Sequence, residues 1–528
     1  MAKFDCIADF EDLTPAEEEL IDACRAGKPC NLGEARPEKP KPENTVRATL
    51  LRALIIGGTP ECRLMQDGGV TLFGAWVIEP LDLRFKSARG PTVLVNCVFM
   101  EEPLLTHAEL SILNLSKSEF PGLFAVGLSV KGLVNLTEVC ATKTVNFNSA
   151  KISGQFACNE AKLDGGKASA GWNPALTAQE IEVGGGMLMS GLITLGILDL
   201  HGAKVSGQLE FTKVNLDGKG DLAINGQNLT VKASLFWREI EATQVIGEIY
   251  LVGAHVGVLV DDIKSWPSEF NLIGLTYGRI STARNSVLER LTWLANGSIA
   301  DGIFHPQPYT QLAKVLFAMG HDREAKKILM ARENRLSMVA LQNLRAKPNG
   351  GTYLRFENPL IDAQLCGAKA WFWTIGLLAG HGYAPFRALV AMLALIGVTT
   401  FLAYQAWSTG AFAPNSDVIV TSEAWQLAMM NDCVPAPFPG CEPNPALTWS
   451  NDRAQGIDWA SFNALAYAAD LALPVVELGQ TSAWAPSKDR GVWGETLWWS
   501  SWWIELLGWL FTVLGGAAIT GLIQRSRE

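Results

Sequence analysis

Apolar and polar positions change rhythm twice along the chain, and each change marks a different kind of element. From about Arg63 to Asp262 apolar residues alternate with polar ones in short bursts, the period-two signature of strands with one buried face. The bursts are near copies. Ala150 to Phe156 (AKISGQF) recurs at Ala203 to Leu209 (AKVSGQL), and Leu128 to Val134 (LSVKGLV) stands 22 residues before the first. Ala108 to Leu110, Leu192 to Leu198 and Thr243 to Ile249 repeat the shape. A period of 20–22 residues with half-steps of 10–11 and a glycine near mid-strand predicts a β-solenoid. No coil of such a fold buries its apolar set alone, so coils stack, about nine over this length. Residues 159–186 break the period and read as an insertion or an irregular coil.

Helical spacing flanks these bursts. Thr14 to Gly27 reads as a short helix with Pro15 in its first turn and Glu17, Glu18 and Glu19 at its positive end. A Pro-rich charged linker, 36–44, leads to an amphipathic helix over Thr45 to Ile56 that caps the repeats. After Trp266-Pro267 the chain turns helical. Ser286 to Asn296 is one helix, and Pro308 to Gly320 with Arg323 to Leu344 forms a hairpin. Its contacting faces are Leu312, Val315, Leu316 and Met319 on the first helix, Ala325, Ile328 and Leu329 on the second.

The second change is to continuous apolarity. Ala388 to Ala406 is 19 residues without a charge, and Leu506 to Ile523 is 18 more. At about 1.5 Å per residue each reaches across a hydrocarbon layer of roughly 30 Å. We therefore expect spans at 388–406 and 504–523, bordered by Trp498, Trp499, Trp502 and Trp503 at headgroup depth. A short apolar helix at 368–378 is expected to lie in the cytoplasmic interface through Trp371 and Trp373. The stretch between the spans, 407–500, holds Arg453, Lys488 and Arg490 against ten acidic residues, whereas 323–347 carries seven Lys/Arg. Positive charge stays inside, so both termini are expected in the cytoplasm and 407–500 in the periplasm of a bacterial inner membrane.

Between the spans, Ile457 to Ala469 reads as a helix too short to cross, followed by Leu473 to Gln480 (LPVVELGQ). Span, short helix, extended segment, span resembles the two-helix pore unit of the potassium-channel superfamily. Thr-Val-Gly-Tyr-Gly is absent, so that family's carbonyl filter does not carry over. The resemblance instead makes Asp470, Glu477 and Gly479 the candidate pore residues of a homo-oligomer. Whether the short helix is re-entrant or surface-lying stays open in the sequence.

Composition narrows the function. The 528 residues carry a net charge of −10, which argues against nucleic acid as a partner. Met1 to Asp5 leads into acidic residues instead of an apolar leader, so the large N-terminal part is expected to stay where it is made. Of ten cysteines, Cys433 and Cys441 flank a Pro-rich turn in the stretch placed outside, where oxidation would join them; the rest read as small buried apolar residues. No nucleotide-binding glycine motif occurs: Gly184 to Gly191 (GGGMLMSG) lacks the Gly-x-Gly-x-x-Gly spacing. The six histidines have no metal-ligand spacing, and His201 and His255, beside glycines, read as turn residues. Catalytic, cofactor-binding and metal residues are accordingly expected to be none.

The whole chain resembles a family of bacterial membrane proteins with a cytoplasmic, right-handed, pentapeptide-like solenoid, a Gln-Pro-Tyr-x-Gln-Leu hairpin and two C-terminal spans. Gln307 to Arg335, Gly380 to Arg387 and Leu473 to Pro486 carry the resemblance. Members are often named membrane-associated oxidoreductases, a name that no cofactor motif here supports. The expected architecture is mixed: a helical and Pro-rich cap (1–57), solenoid (58–265), helical linker (266–365) and two-span membrane domain (366–528). The expected function is a solenoid that senses or docks a cytoplasmic ligand or protein, coupled to a small ion-conducting unit in the lipid bilayer. An anchored scaffold without a pore is the alternative.

Overall fold

The computed structural model describes residues 10–57, 69–166, 172–281, 286–346, 386–430, 444–451 and 456–519, with scattered residues between 367 and 384. The chain divides into two compact units, Met1–Arg332 and Glu333–Glu528.

The first unit is a parallel β-solenoid of about nine turns, running to about residue 280. A typical coil has four sides, each a two-residue strand: Ser129–Val130, Val134–Asn135, Cys140–Ala141 and Val145–Asn146. Each side pairs in parallel with the next coil, Ser129 with Lys151, Val134 with Phe156, Cys140 with Lys162 and Val145 with Leu176. Fixed register makes columns of like residues. Leu110, Val130, Ile152, Val183 and Val205 stack in one buried column, and Leu113, Val134, Phe156, Met187 and Leu209 in another. A coil end would leave such a column half wet; stacking removes both faces from water at roughly 25 cal/mol per Å².

The corners explain the rest of the repeat. Asn114, Asn135 and Asn146 each accept a hydrogen bond from the backbone N–H two residues on, an Asx turn. The residue after each turn, Lys117, Glu138 and Ser149, takes φ of 60°, 57° and 56°. The glycine of the repeat also sits at a corner, not inside a strand. A Cβ on Gly154 would lie 2.6 Å from the Gly132 carbonyl oxygen, and one on Gly207 would lie 2.7 Å from that of Gly185. Coils approach too closely there for any side chain.

Coil length varies with sequence. The step from Ser129 to Lys151 is 22 residues and that from Lys151 to Glu182 is 31, which places the irregular coil where the repeat falters. Later coils lengthen through long strands, Asn215–Asn225 and Thr230–Arg238, with register shifts that absorb the surplus.

Both ends of the ladder differ from the sequence expectation. It begins early, with Cys30–Asn31 on Leu72–Phe73 and Thr45–Arg47 on Trp76–Ile78. Thr45 and Val46 are β-branched and extend the sheet, so the second helix is only Ala48–Ile56 (α2). At the far end Phe270–Asn271 and Thr276–Ile280 still pair, so helix resumes not after Trp266 but at Val287–Gly297 (α3).

Helices close both ends. The first, Pro15–Arg25 (α1), opens with a capping box between Thr14 and Glu17. The Glu17 carboxylate, with no exposed surface, accepts from the Arg47 backbone N–H at 2.8 Å and guanidinium at 2.7 Å. At the other end Phe211, Trp237, Trp266 and Trp293 pack edge-on or tilted in a chain with ring centroids 5.6–5.7 Å apart, the last from α3. Arg290 of α3 forks onto buried Asp261, which also accepts from the Trp266 indole at 2.9 Å. Gln307–Ala318 (α4) and Asp322–Ala346 (α5) form the hairpin. Gln307 accepts from the Gly274 N–H at 2.8 Å and donates to the Leu275 carbonyl at 3.1 Å, and Gln311 donates to that of Tyr277 at 2.7 Å. The two glutamines of the motif thus satisfy the last coil's free edge.

Candidate functional site

In the second unit, Phe386–Ser408 (α6) is the one helix among the described residues long and apolar enough to cross a membrane. Its mean hydropathy is 2.0 and only 22% of its most apolar window is buried; a core helix of the same composition would be mostly covered. Leu389, Val390, Leu393, Val398 and Phe401 lie outward. Two further helices pack with it: Ala464–Ala472 (α7) and Gly491–Ile519 (α8). The longer of these holds Glu495, Glu505 and six tryptophans.

α6 and α8 run antiparallel. Phe401 meets Trp493 edge-on, ring centroids 5.9 Å apart, while at the opposite ends a Cβ on Gly515 would lie 3.6 Å from the Ala388 Cβ. Leu497, Ile504 and Leu514 of α8 face inward, and Trp499, Trp502, Trp503, Leu506 and Trp509 outward. Trp498 is half-buried and packs edge-on against Trp499, ring centroids 4.9 Å apart. α7 ends against α8, because a Cβ on Gly508 would stand 2.0 Å from the Ala472 carbonyl oxygen.

α7 is shorter than the expected Ile457 to Ala469 helix and starts seven residues later. Asn463 is the reason: its side chain caps the helix by accepting from the Ala466 N–H. The preceding residues instead join an aromatic cluster, with Phe462 stacked on Trp407 at 4.2 Å between ring centroids and Trp484 edge-on to both. Gln480 ties this segment to the α7 start, accepting from the Asn463 N–H and donating to the Ser461 carbonyl, each at 3.0 Å.

The three candidate pore residues do different things. Asp470 fastens the loop after α7, accepting from the Leu478 N–H and the Thr481 N–H at 2.7 Å each and from the Thr481 hydroxyl at 2.9 Å. Burial pushes its pKa up, and these hydrogen bonds more than reverse that, holding it below the usual carboxylate range. Glu477 is exposed at the loop's tip beside Val475 and Val476. Gly479 turns the chain at φ 75°, a conformation open to glycine. Trp371, Trp373, Cys433 and Cys441 lie outside the described residues. The sequence reading passed over Glu505, which is exposed on α8, ten residues or about 15 Å from Gly515. The signal was present: a lone carboxylate inside Trp-Trp-Ile-Glu-Leu-Leu.

The solenoid carries two adjoining hollows on one face, of about 450 and 510 Å³, both bordered by Thr230 and Lys232. Small residues make the floor, Ser153, Gly184 and Ser206, and α4 walls the far end. His255, expected in a turn, instead lies in the strand His255–Asp261 that crosses this face, its ring nitrogen against the Thr276 hydroxyl.

Among the described residues no group of three His, Cys, Asp or Glu is placed to hold a metal ion. Burial pushes the Cys97 and Cys158 thiols up to about 12 and that of Cys24 to about 11, which keeps them protonated and unreactive. Taken together, the fold defines a parallel β-solenoid followed by a helical region with one candidate membrane span. No known protein family, curated protein or solved structure matches the chain.

Proposed function

We propose that this protein is a solenoid docking platform anchored in a bacterial inner membrane, with α6 and α8 crossing the bilayer as an antiparallel pair. The observation that carries the reading is that pairing: small and inward residues lie between the two helices, while leucines and valines face outward along α6 and leucines and tryptophans along α8, whose apolar face Glu505 interrupts. Lipid is the medium in which such a surface costs nothing. The solenoid and both termini are then cytoplasmic and 407–500 periplasmic, where Cys433 and Cys441 form a disulfide. Alkaline carbonate extraction tests the anchor, and mass spectrometry of the protein from native membranes tests the side. Retention in the pellet with Cys433 and Cys441 joined is expected; release into the supernatant overturns the anchor, and two free thiols overturn the topology.

A second reading, an ion-conducting homo-oligomer, is favoured by one observation. α7 meets α8 at Gly508, about two-thirds of the way from Trp493 to Gly515, which is where a re-entrant helix would end. Glu477 and Glu505 then sit at bilayer depth, and carboxylates there face a partner or a water-filled path. Purified protein in planar bilayers decides: this reading expects a cation conductance whose selectivity shifts in Glu477→Gln and Glu505→Gln. Silence from a monomer in detergent leaves the scaffold alone standing.

A further inference from the structure

The chain is acidic overall, yet the long hollow on the solenoid face is basic. Register places Lys151, Glu182 and Lys204 on successive coils along its rim. Glu182 is already matched by Lys204 at 3.0 Å. Lys151 and Lys232 beside the floor, and Lys314 on the α4 wall, are exposed and form no ion pair among the described residues. Apart from Glu182 the charged side chains bordering the first hollow are lysine ammonium groups, and the hydroxyls of Ser153, Ser206 and Thr230 beside them can also donate. The occupant must therefore bring acceptors that carry negative charge.

We propose that this groove binds an extended acidic peptide segment of a partner protein, with carboxylates three residues apart. Spacing sets the register. Lys151 and Lys204 are two coils apart, about 9.6 Å at the spacing of paired strands. A peptide in the extended polyproline II conformation advances about 9.3 Å per three-residue turn, so its first and fourth carboxylates lie on one side and meet the two lysines. Between them the coil presents Glu182, which repels an acidic residue at the intervening positions. Nucleic acid and polysaccharide fit less well. Of the two aromatic rings bordering the hollows, Tyr277 is 5% exposed and His255 is an imidazole held by the Thr276 hydroxyl, so bases and sugar rings find at most one small stacking face, and the chain's net charge of −10 repels long polyanions.

The proposal rests on the docking role of the solenoid and not on the membrane anchor, so the two fail separately. Full-length protein in detergent is titrated into a labelled Glu-Ser-Ser repeat peptide at low salt, with fluorescence anisotropy as readout. Saturable binding is expected, weakened about tenfold in Lys151→Ser with Lys204→Ser and again in Lys232→Ser with Lys314→Ser, and weakened by salt. The same composition with its glutamates clustered should bind less tightly. Equal binding by the clustered peptide, equal displacement by RNA or by a sulfated polysaccharide, or no effect of either lysine variant overturns the proposal. Peptide binding by protein released from membranes by carbonate overturns only the anchor.

Discussion

Glu17 shows how much one side chain fastens at the start of the solenoid. It closes the α1 capping box and holds Arg47 of the first coil while keeping no surface of its own in water. Burial pushes its pKa up, but hydrogen bonds from Arg47 and Thr14 prevail and hold it low. A carboxylate depressed in the folded state adds stability above its unfolded pKa, and that stability fades as pH falls through the lower folded value. Glu17→Gln is expected to cost about 2 kcal/mol at neutral pH and to flatten the loss as pH falls through and below the usual carboxylate range, as read by urea unfolding across pH. An unchanged acid profile would show that Glu17 is not the titrating group. At this scale the sequence was half legible. Glu17 was visible as an N-terminal acid on a helix but not as the partner of Arg47, 30 positions on. The glycine of AKISGQF was visible as a repeat, yet its role as a corner against the preceding coil's carbonyl depends on contacts between coils, which no local window contains.

At the scale of elements, period and apolar length were good guides and boundaries were not. Two-residue strands such as Ser129–Val130 and Val134–Asn135, one corner apart, print the same alternation as one long strand, so the coil count was legible and its four sides were not. Thr45–Arg47 was lost to helix because its pairing with Trp76–Ile78, 31 residues on, lies outside any local window. α7 was overextended toward Ile457 because the capping role of Asn463 was missed and Trp459 and Phe462 were included in the helix. The point where α7 meets α8 offers a direct test. Gly508→Leu puts a side chain where the Ala472 carbonyl lies, and should loosen α7 and lower the detergent melting temperature by several degrees. Gly516→Leu, at a position with open space around it, should leave it unchanged; equal shifts in both would mean that the contact does not hold α7.

For the whole molecule, the solenoid behaves as a one-dimensional stack in which each coil leans on its neighbours, so stability concentrates in the middle and falls toward the ends. The end structures therefore matter beyond their size. Hydrogen–deuterium exchange should find the amides of coils around Ile152 and Val205 slowest, and those of Cys30–Asn31 and Thr276–Ile280 faster; uniform protection would mean a single indivisible unit. The glutamines at 307 and 311 have a further consequence. A parallel ladder is a template at each of its ends, and what blunts one of them is a pair of side-chain amides occupying backbone groups of Gly274, Leu275 and Tyr277. With Gln307→Ala and Gln311→Ala together, that face is left sticky. Purified protein should then scatter light increasingly with concentration as copies join end to end, a latent filament that two amides keep from growing.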